Sequence, residues 1–249
     1  MIDLYHAEPI ANSVKVMICL FEKGLEFESH YVNLLAFEQH EPEYLAINPD
    51  GIVPSLVHDG VVITETTVIN EYLDEVFPEP ALKPRDPVAR ARMRTWTKWI
   101  DEYFGPNGSK IGWQFLLYPL AQKLGKEEMG RRIARIPMKD RREKWTTIAE
   151  NGFSPEQLAE PRSWVEEGVR RLESLLDGNE WTAGDEYSLS DIATYSVAPS
   201  LPMMMPDAVN PQATPNILRW ITAMDERPAV QKAKAMPNKV RETLQAAGL

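Results

Sequence analysis

The sequence is poor in the side chains that bind metals or form disulfides. Its 249 residues include a single cysteine, Cys19, and only four histidines. One cysteine excludes an internal disulfide and fits a reducing compartment, so we expect a cytoplasmic protein. The histidines His6, His30, His40 and His58 show no metal-ligand spacing, and we predict no metal site.

Basic residues and long apolar runs are also in short supply. Lys and Arg number 27 against 37 Asp and Glu, which gives a formal net charge of −10. This charge argues against nucleic acid and anionic membrane surfaces as partners. No apolar stretch is long enough to span a bilayer, and the first residues, MIDLYHAEPIANS, lack the features of a signal peptide. A hydrophobic content of 43% is typical of a soluble globular protein.

The first third of the chain predicts an α/β domain. A short strand, IDLY, precedes an amphipathic helix with Ser13 at the N-cap and Gly24 at the C′ position. A second strand, EFESHYVN, follows, and then two apolar runs joined by Asp59-Gly60, which is a hairpin signal. The helix ETTVINEYLDEVF completes the order βαβ–ββα. We predict a thioredoxin-like domain over residues 1–78.

The rest of the chain predicts helices only. Four prolines mark a linker at residues 79–86, and Pro87 is typical of a helix start. Helical patterns recur at 113–124, 162–176, 191–197 and 217–224. Residues 87–249 are therefore expected to form an all-helical domain, with an S-x-x-D capping box at Ser188–Asp191. We interpret the basic run KDRREKW (139–145) as a solvated helix face.

Pro54 stands at the start of an apolar run that otherwise predicts a strand. Proline cannot donate to a sheet ladder, so it is confined to strand starts, edges and bulges. A cis-proline at the third strand of a βαβ–ββα domain turns the backbone of the preceding residue outward, where an extended peptide can pair with it. We predict such an edge at Val53; the alternative is a trans proline at an ordinary sheet edge.

Two helix starts carry polar side chains. Glu65 and Thr66 open the helix after the hairpin, and helix capping accounts for both residues. The free backbone N–H groups at this helix start can also bind a carboxylate, and the Glu65 side chain can bind an ammonium group. Together these features match the amino-acid head of a γ-glutamyl peptide. Capping also accounts for Ser13, yet a hydroxyl at a helix N-terminus can stabilise a thiolate. Cys19, inside the helix, is interpreted as a structural thiol.

These motifs together resemble the cytosolic glutathione S-transferases. The resemblance covers both domains and rests on Ile52-Val53-Pro54, Glu65-Thr66, the capping box and RPAVQKA near the end. A closer resemblance is to the LigF-type β-aryl etherases of bacterial lignin catabolism. It rests on ANSVKVMICLFEKGLEFE, FEQHEPEYLAINPDGIVPSLVHDG, TETTVINEYLDEVFPE, MRTWTKWIDEYF, IGWQF and KWTTIAENGF.

The resemblance implies a glutathione S-transferase fold with glutathione as co-substrate. Ser13 would face the glutathione sulfur with Asn12 beside it, since Tyr5 lies inside the first strand. The remaining anchors follow from the same motifs: Gln39 and His40 for the glycyl carboxylate, Val53 and Pro54 for the cysteinyl backbone, and Glu65 and Thr66 for the γ-glutamyl head.

The second substrate implied by the resemblance is an aromatic small molecule in the helical domain. Candidate pocket residues are Tyr103, Phe104, Trp113, Phe115 and Tyr118, with the run 203–205. The expected reaction is displacement of a phenolate such as guaiacol from the β-carbon of an aryl ether ketone. The alternatives are a general transferase acting on other electrophiles and a non-catalytic subunit of a heterodimer.

The expected assembly is a dimer with a second copy or a paralogue. We further expect Asp101 to reach the glutathione ammonium group across that interface. The stretch HAEPI departs from the glycine-containing loop of the etherase group, and this leaves the stereoisomer cleaved open.

Overall fold

The computed structural model describes residues 1–240. The strands are β1 (Ile2–His6), β2 (Glu28–Tyr31), β3 (Ser55–His58) and β4 (Val61–Ile63). They form one sheet in the order β2-β1-β3-β4, with β1 parallel to β2 and antiparallel to β3. The hairpin turns at Asp59-Gly60, where both residues have positive φ. The predicted thioredoxin-like arrangement is confirmed.

Three helices accompany the sheet: α1 (Ala11–Glu22), α2 (Pro42–Leu45) and α3 (Thr66–Val76). The prediction that Ser13 caps α1 is wrong. Ala11 has a φ of 48° and already begins the helix, which makes Ser13 its third residue. Gly24 follows the helix with a φ of 64°, as expected of a C′ glycine.

The second domain is helical, as predicted. Its helices are α4 (Pro87–Trp99), α5 (Gly105–Gly112), α6 (Tyr118–Leu124), α7 (Lys126–Ile133), α8 (Lys139–Glu150), α9 (Pro155–Leu175), α10 (Leu189–Tyr195), α11 (Leu201–Met204), α12 (Pro215–Glu226) and α13 (Pro228–Lys234). π-helical turns at Ile100–Phe104 and Trp113–Leu117 join α4, α5 and α6 into one continuous path. Asp86 caps α4 by accepting from the Ala89 N–H at 2.7 Å.

The two domains share a buried interface. Helix α1 packs against α3 on one side and against α10 and α13 on the other, so most of its residues are buried. No helix or strand lies between α3 and α4, but Leu82 in this segment is buried. The Leu82 N–H donates to Asp74 and its carbonyl accepts from the Leu189 N–H, which ties the segment to both domains.

The predicted capping box is present and closes the start of α10. Asp191 is fully buried, and burial raises the pKa of its carboxyl. Its oxygens accept from the N–H groups of Thr182 and Ser188 and from Trp220 Nε1 at 2.9–3.0 Å. These bonds fix the core of the helical domain.

Within residues 1–240, no helix is both long and apolar enough to cross a membrane. Over the same residues, no three potential metal-ligating side chains converge.

The close contact between α9 and Phe104 predicts an effect on stability. A Cβ added at Gly168 would lie 2.5 Å from the Phe104 ring. Gly168→Ala is expected to lower the free energy of unfolding by about 1–3 kcal/mol through overpacking. Gly130→Ala on α7 is the matched control, because nothing lies within 4 Å of its added Cβ. Urea unfolding midpoints of both variants measure the difference, and equal midpoints would contradict the packing described.

Candidate functional site

Three chain segments meet at one edge of the sheet. Tyr5 pairs with Ser55, and Leu56 pairs with Ile63. When the pairing of β1 with β3 is continued by two residues beyond Tyr5 and Ser55, Ala7 lies opposite Val53. When the pairing of β3 with β4 is continued by two residues beyond Leu56 and Ile63, Glu65 lies opposite Pro54. Helices α1 and α3 both begin at this edge, so their N-terminal N–H groups point toward it. The edge therefore combines free backbone groups with the positive ends of two helices.

Ser13 lies in the first turn of α1 and is only 4% exposed. Its Oγ accepts a hydrogen bond from the Ala7 N–H at 3.1 Å. Ala7 lies opposite Val53, the residue predicted to pair with a peptide. Its own hydroxyl proton has no acceptor in the part of the chain that the structure describes. The Asn12 side chain beside it is exposed. The first turn of α1 thus holds a buried hydroxyl with an unused proton and an exposed amide.

The Val53–Pro54 peptide bond is cis, as predicted. Val53 precedes β3 and lies outside the paired residues of the ladder. The segment before it is fixed through the Ile52 carbonyl, which accepts from Tyr44 Oη at 2.6 Å and from Asn48 Nδ2 at 2.9 Å. The Val53 backbone is therefore held in place without being used by the sheet.

Glu65 has an unusual backbone at the start of α3. Its φ of 66° is rare for a residue other than glycine, and such conformations cluster at functional sites. Its side chain is exposed and makes no capping hydrogen bond, so the capping interpretation does not hold for it. Thr66 is 9% exposed, and its hydroxyl accepts from Lys15 Nζ at 3.3 Å.

Asp101 connects this edge to the helical domain within one chain. One carboxylate oxygen pairs with Lys15 Nζ at 2.9 Å, and the other accepts from Thr67 Oγ1 at 2.6 Å. Lys15 is only 2% exposed, whereas the Asp101 side chain is 36% exposed, so this ion pair is half-buried. The carboxylate that we expected to reach across a dimer interface thus has two partners in its own chain.

Gln39 and His40 lie beside the edge but face inward. They are 6% and 5% exposed, and a Cβ at Gly51 would come within 2.5 Å of His40 Nδ1. Gln39 Oε1 and His40 Nδ1 have no hydrogen-bond partner among residues 1–240. Burial, followed by the charges of Arg141 and Arg135, lowers the pKa of His40 to about 4. His40 is therefore neutral at neutral pH and offers no positive charge to a carboxylate.

The candidate aromatic pocket does not form as one wall. Phe104 is fully buried in the core, because Gly168 leaves room for its ring, so its assignment to the pocket is wrong. Tyr103 stacks on Trp99 and lies 4.8 Å from Trp164, while Phe115 is 45% exposed. Only Trp113 and Tyr118, two of the five, share a cluster, which includes Phe37, Met129, Ile136, Trp145 and Ile148.

That cluster joins the two domains near Gln39 and His40. The Trp145 ring lies 4.9 Å from Phe37 and 4.6 Å from Trp113. Trp113 therefore stands on the side of the helical domain that faces the sheet edge.

In the run 203–205, Met203 is exposed and Met205 is buried. Met204 is the member of the run that approaches Gly112, the neighbour of Trp113.

The interpretation of the basic run as a solvated face is wrong, because Arg141, Arg142 and Lys144 are half-buried and Trp145 is buried. Arg141 and Lys144, one turn apart on α8, are half-buried because this side of the helix packs toward the cluster. Lys144 Nζ lies 4.0 Å from the centre of the Trp113 ring. Burial, followed by the charges of Arg141 and Lys110, lowers the pKa of Lys144 to about 8. The spacing of Arg141, Lys144, Trp145 and Ile148 is the sequence signal for this face.

The depressed pKa of His40 predicts its titration and a pH effect on stability. His40 binds a proton near pH 6.5 in the unfolded chain but only near pH 4 in the folded chain. Its contribution should therefore lower the free energy of unfolding as the pH falls from 6.5 to 4. In proton NMR, the imidazole resonance that disappears in His40→Gln should report a neutral ring down to about pH 5; burial also lowers the pKa of His6, and the substitution identifies which resonance belongs to His40. The variant should also lose less stability between pH 6.5 and 4. A His40 resonance that titrates near 6.5 would contradict the burial described.

Comparison with known proteins identifies the family. The model for the N-terminal domain of glutathione S-transferases matches residues 11–76, and the model for their C-terminal domain matches residues 145–228. Protein LigF from Sphingobium sp. is 43% identical, with 93% of this chain and 92% of LigF covered. Glutathione S-transferase 3 of Zea mays is 31% identical over 94% of this chain and 93% of that protein.

A solved structure agrees with these matches. The crystal structure of beta-etherase LigF superposes with a TM-score of 0.88 at 43% identity, covering 93% of this chain and 98% of that one. The sequence matches agree with the sheet order and with the helical second domain. The chain therefore belongs to the glutathione S-transferase family.

Proposed function

We propose that this protein is a glutathione-dependent β-aryl etherase of the cytoplasm. The observation that carries the proposal is the 43% identity to LigF over nearly the whole of both chains, since the solved structure of LigF is described as that of a β-etherase. The edge formed by Val53, Glu65 and the start of α1 supports it, because its backbone and charged groups complement a γ-glutamyl peptide.

The proposed reaction is a displacement at the carbon beside a ketone. The glutathione thiol loses its proton, and the thiolate attacks the β-carbon of an aryl ether ketone. The C–S bond forms as the C–O bond breaks, and the electron pair leaves with the phenolate oxygen. The protein contributes by stabilising the thiolate and by aligning sulfur, carbon and leaving oxygen.

The anchors proposed for the sulfur, the cysteinyl residue and the γ-glutamyl head each have a suitable group at this edge. The unused Ser13 proton suits the sulfur, and the exposed Asn12 amide stands next to it. The unpaired Val53 backbone before Pro54 suits the cysteinyl residue. The exposed carboxylate of Glu65 suits the ammonium group, and the helix start at Thr66 suits the γ-glutamyl carboxylate.

We place the aromatic substrate against Trp113. This ring is half-buried, lies beneath Lys144 and belongs to the cluster that reaches Phe37 of the first domain. Stacking on such a ring adds about 0.5–1.5 kcal/mol beyond burial. A phenolate leaving group near Lys144 would also be stabilised by the positive charge.

We further propose that the protein works as a dimer. The edge strand β4 exposes Val61 and Val62, and α3 and α4 expose Val68 and Val88. Unpaired edge strands with exposed apolar residues are characteristic docking surfaces. A second copy or a paralogue would cover them.

Ser13→Ala is expected to lower turnover about ten- to a hundredfold while the dissociation constant of glutathione changes little. The loss corresponds to a rise of one or two units in the pKa of the bound thiol, at about 1.4 kcal/mol per unit. The ultraviolet absorbance of the thiolate in the complex, followed against pH, measures that pKa. Asn12→Ala is the matched control and should have the smaller effect. A larger effect of Asn12→Ala would reassign the thiolate donor.

A racemic β-aryl ether ketone with a methoxyphenol leaving group tests the proposed activity. With glutathione, the isolated chain should release the phenol, prefer one enantiomer and invert the attacked carbon, as followed by chiral chromatography. An activated chloroarene serves as a parallel substrate. Conjugation of the chloroarene alone would leave only a general transferase, and inactivity on both would indicate a non-catalytic subunit.

A further inference from the structure

Arg141 is a half-buried cation without a direct partner. Among residues 1–240, it makes no hydrogen bond and has no carboxylate within ion-pair distance. Its neighbours on α8 behave differently. Arg142 donates to the carbonyls of Ile136 and Pro137. Lys139 is exposed and pairs with Glu143 at 3.7 Å. Because buried charges are normally paired, a half-buried guanidinium without an ion pair is a candidate to bind an anionic ligand.

The charge of Arg141 acts on the edge where glutathione is proposed to bind. Asp140, its neighbour on α8, attracts it most, followed by the carboxylates of Glu65 and Asp50, and its charge repels a proton on His40. Glu65, Asp50 and His40 belong to the first domain, whereas Arg141 belongs to the second. Trp145, one turn further along α8, lies 4.9 Å from Phe37 of the first domain, so the side of the helix that carries Arg141 faces the sheet edge.

Among residues 1–240, no other positive charge is available at the corner near Gln39 and His40. His40 is neutral and turned toward Gly51, and Arg135 is engaged by Glu41 and the Ala36 carbonyl. Gln39 Oε1 and His40 Nδ1 are buried without partners, so the corner is polar and unsatisfied. Lys144, one turn further along α8, stands over Trp113 instead.

We propose that Arg141 is the residue that binds the glycyl carboxylate of glutathione, closing the site from the helical domain. This inference rests on the proposed glutathione site and changes the assignment of its glycyl end from Gln39 and His40 to Arg141. A guanidinium can hold a carboxylate through two parallel N–H···O bonds, which a neutral imidazole cannot do. Glutathione bound in this way would contact both domains.

The test compares glutathione with its ester at the glycyl carboxylate by calorimetry. Wild-type protein should bind the free acid at least about tenfold more tightly than the ester, in line with a charge-assisted hydrogen bond. Arg141→Gln should weaken binding of the free acid about ten- to a hundredfold and leave binding of the ester within about twofold. Lys139→Gln on the same helix is the matched control and should keep the wild-type preference. The comparison is a double-mutant cycle between the side chain and the carboxylate.

Three results would overturn the inference: no preference in the wild type, a preference retained in Arg141→Gln, or equal weakening of both ligands by that change. If Arg141→Gln does not fold, as judged by circular dichroism, Arg141→Met keeps the apolar stem and should give the same loss of preference. Failure of the wild type to bind either ligand would instead reject the proposed glutathione site.

Discussion

The antiparallel pairing of β1 with β3 is the constraint on which the site depends. It brings the segment after β1 opposite the segment before β3, and continuing its register by two residues puts Ala7 opposite Val53. The hairpin to β4 then adds Glu65 to the same edge. Because α1 and α3 start where β1 and β4 end, two helix N-termini point toward that edge. A register shift of one residue would turn these groups to the other face of the sheet and separate them.

The helical domain completes the site as well as supporting it. The buried Lys15 and the partly exposed Asp101 form an ion pair that holds the first turn of α3 against the second domain. The Phe37–Trp145 contact brings α8 over the opposite end of the edge. Through this contact the side of α8 that carries Arg141 faces the first domain, while Lys144 stands over Trp113. Both cations belong to a protein with a net charge of −10, and the carboxylates of Glu65 and Asp50 lie at the same sheet edge. In the proposed complex Arg141 would bind the glycyl carboxylate, and Lys144 would stabilise the leaving phenolate.

Local chemistry made much of the fold predictable. The Asp59-Gly60 turn, the helix start at Pro87 and the capping box at Asp191 are each determined by a few neighbouring residues. Sequence reasoning failed where distant residues decide the outcome. Phe104 is buried because Gly168, far along the chain, leaves space for it. Ser13 is a local exception, since it loses the cap position because Ala11, two residues before it, adopts a positive φ that an alanine does not signal. One side of α8 is buried because Trp145 packs against Phe37 of the first domain. This contact between distant residues cannot be predicted from the basic run alone, which sequence reasoning therefore interprets as a solvated face.

The most direct test of this account is a crystal structure of the protein with glutathione. The account predicts that the cysteinyl backbone pairs with Val53 and that the sulfur lies within hydrogen-bond distance of Ser13 Oγ. It also predicts the ammonium group at Glu65. A peptide bound away from this sheet edge, or a sulfur directed away from the first turn of α1, would contradict the account.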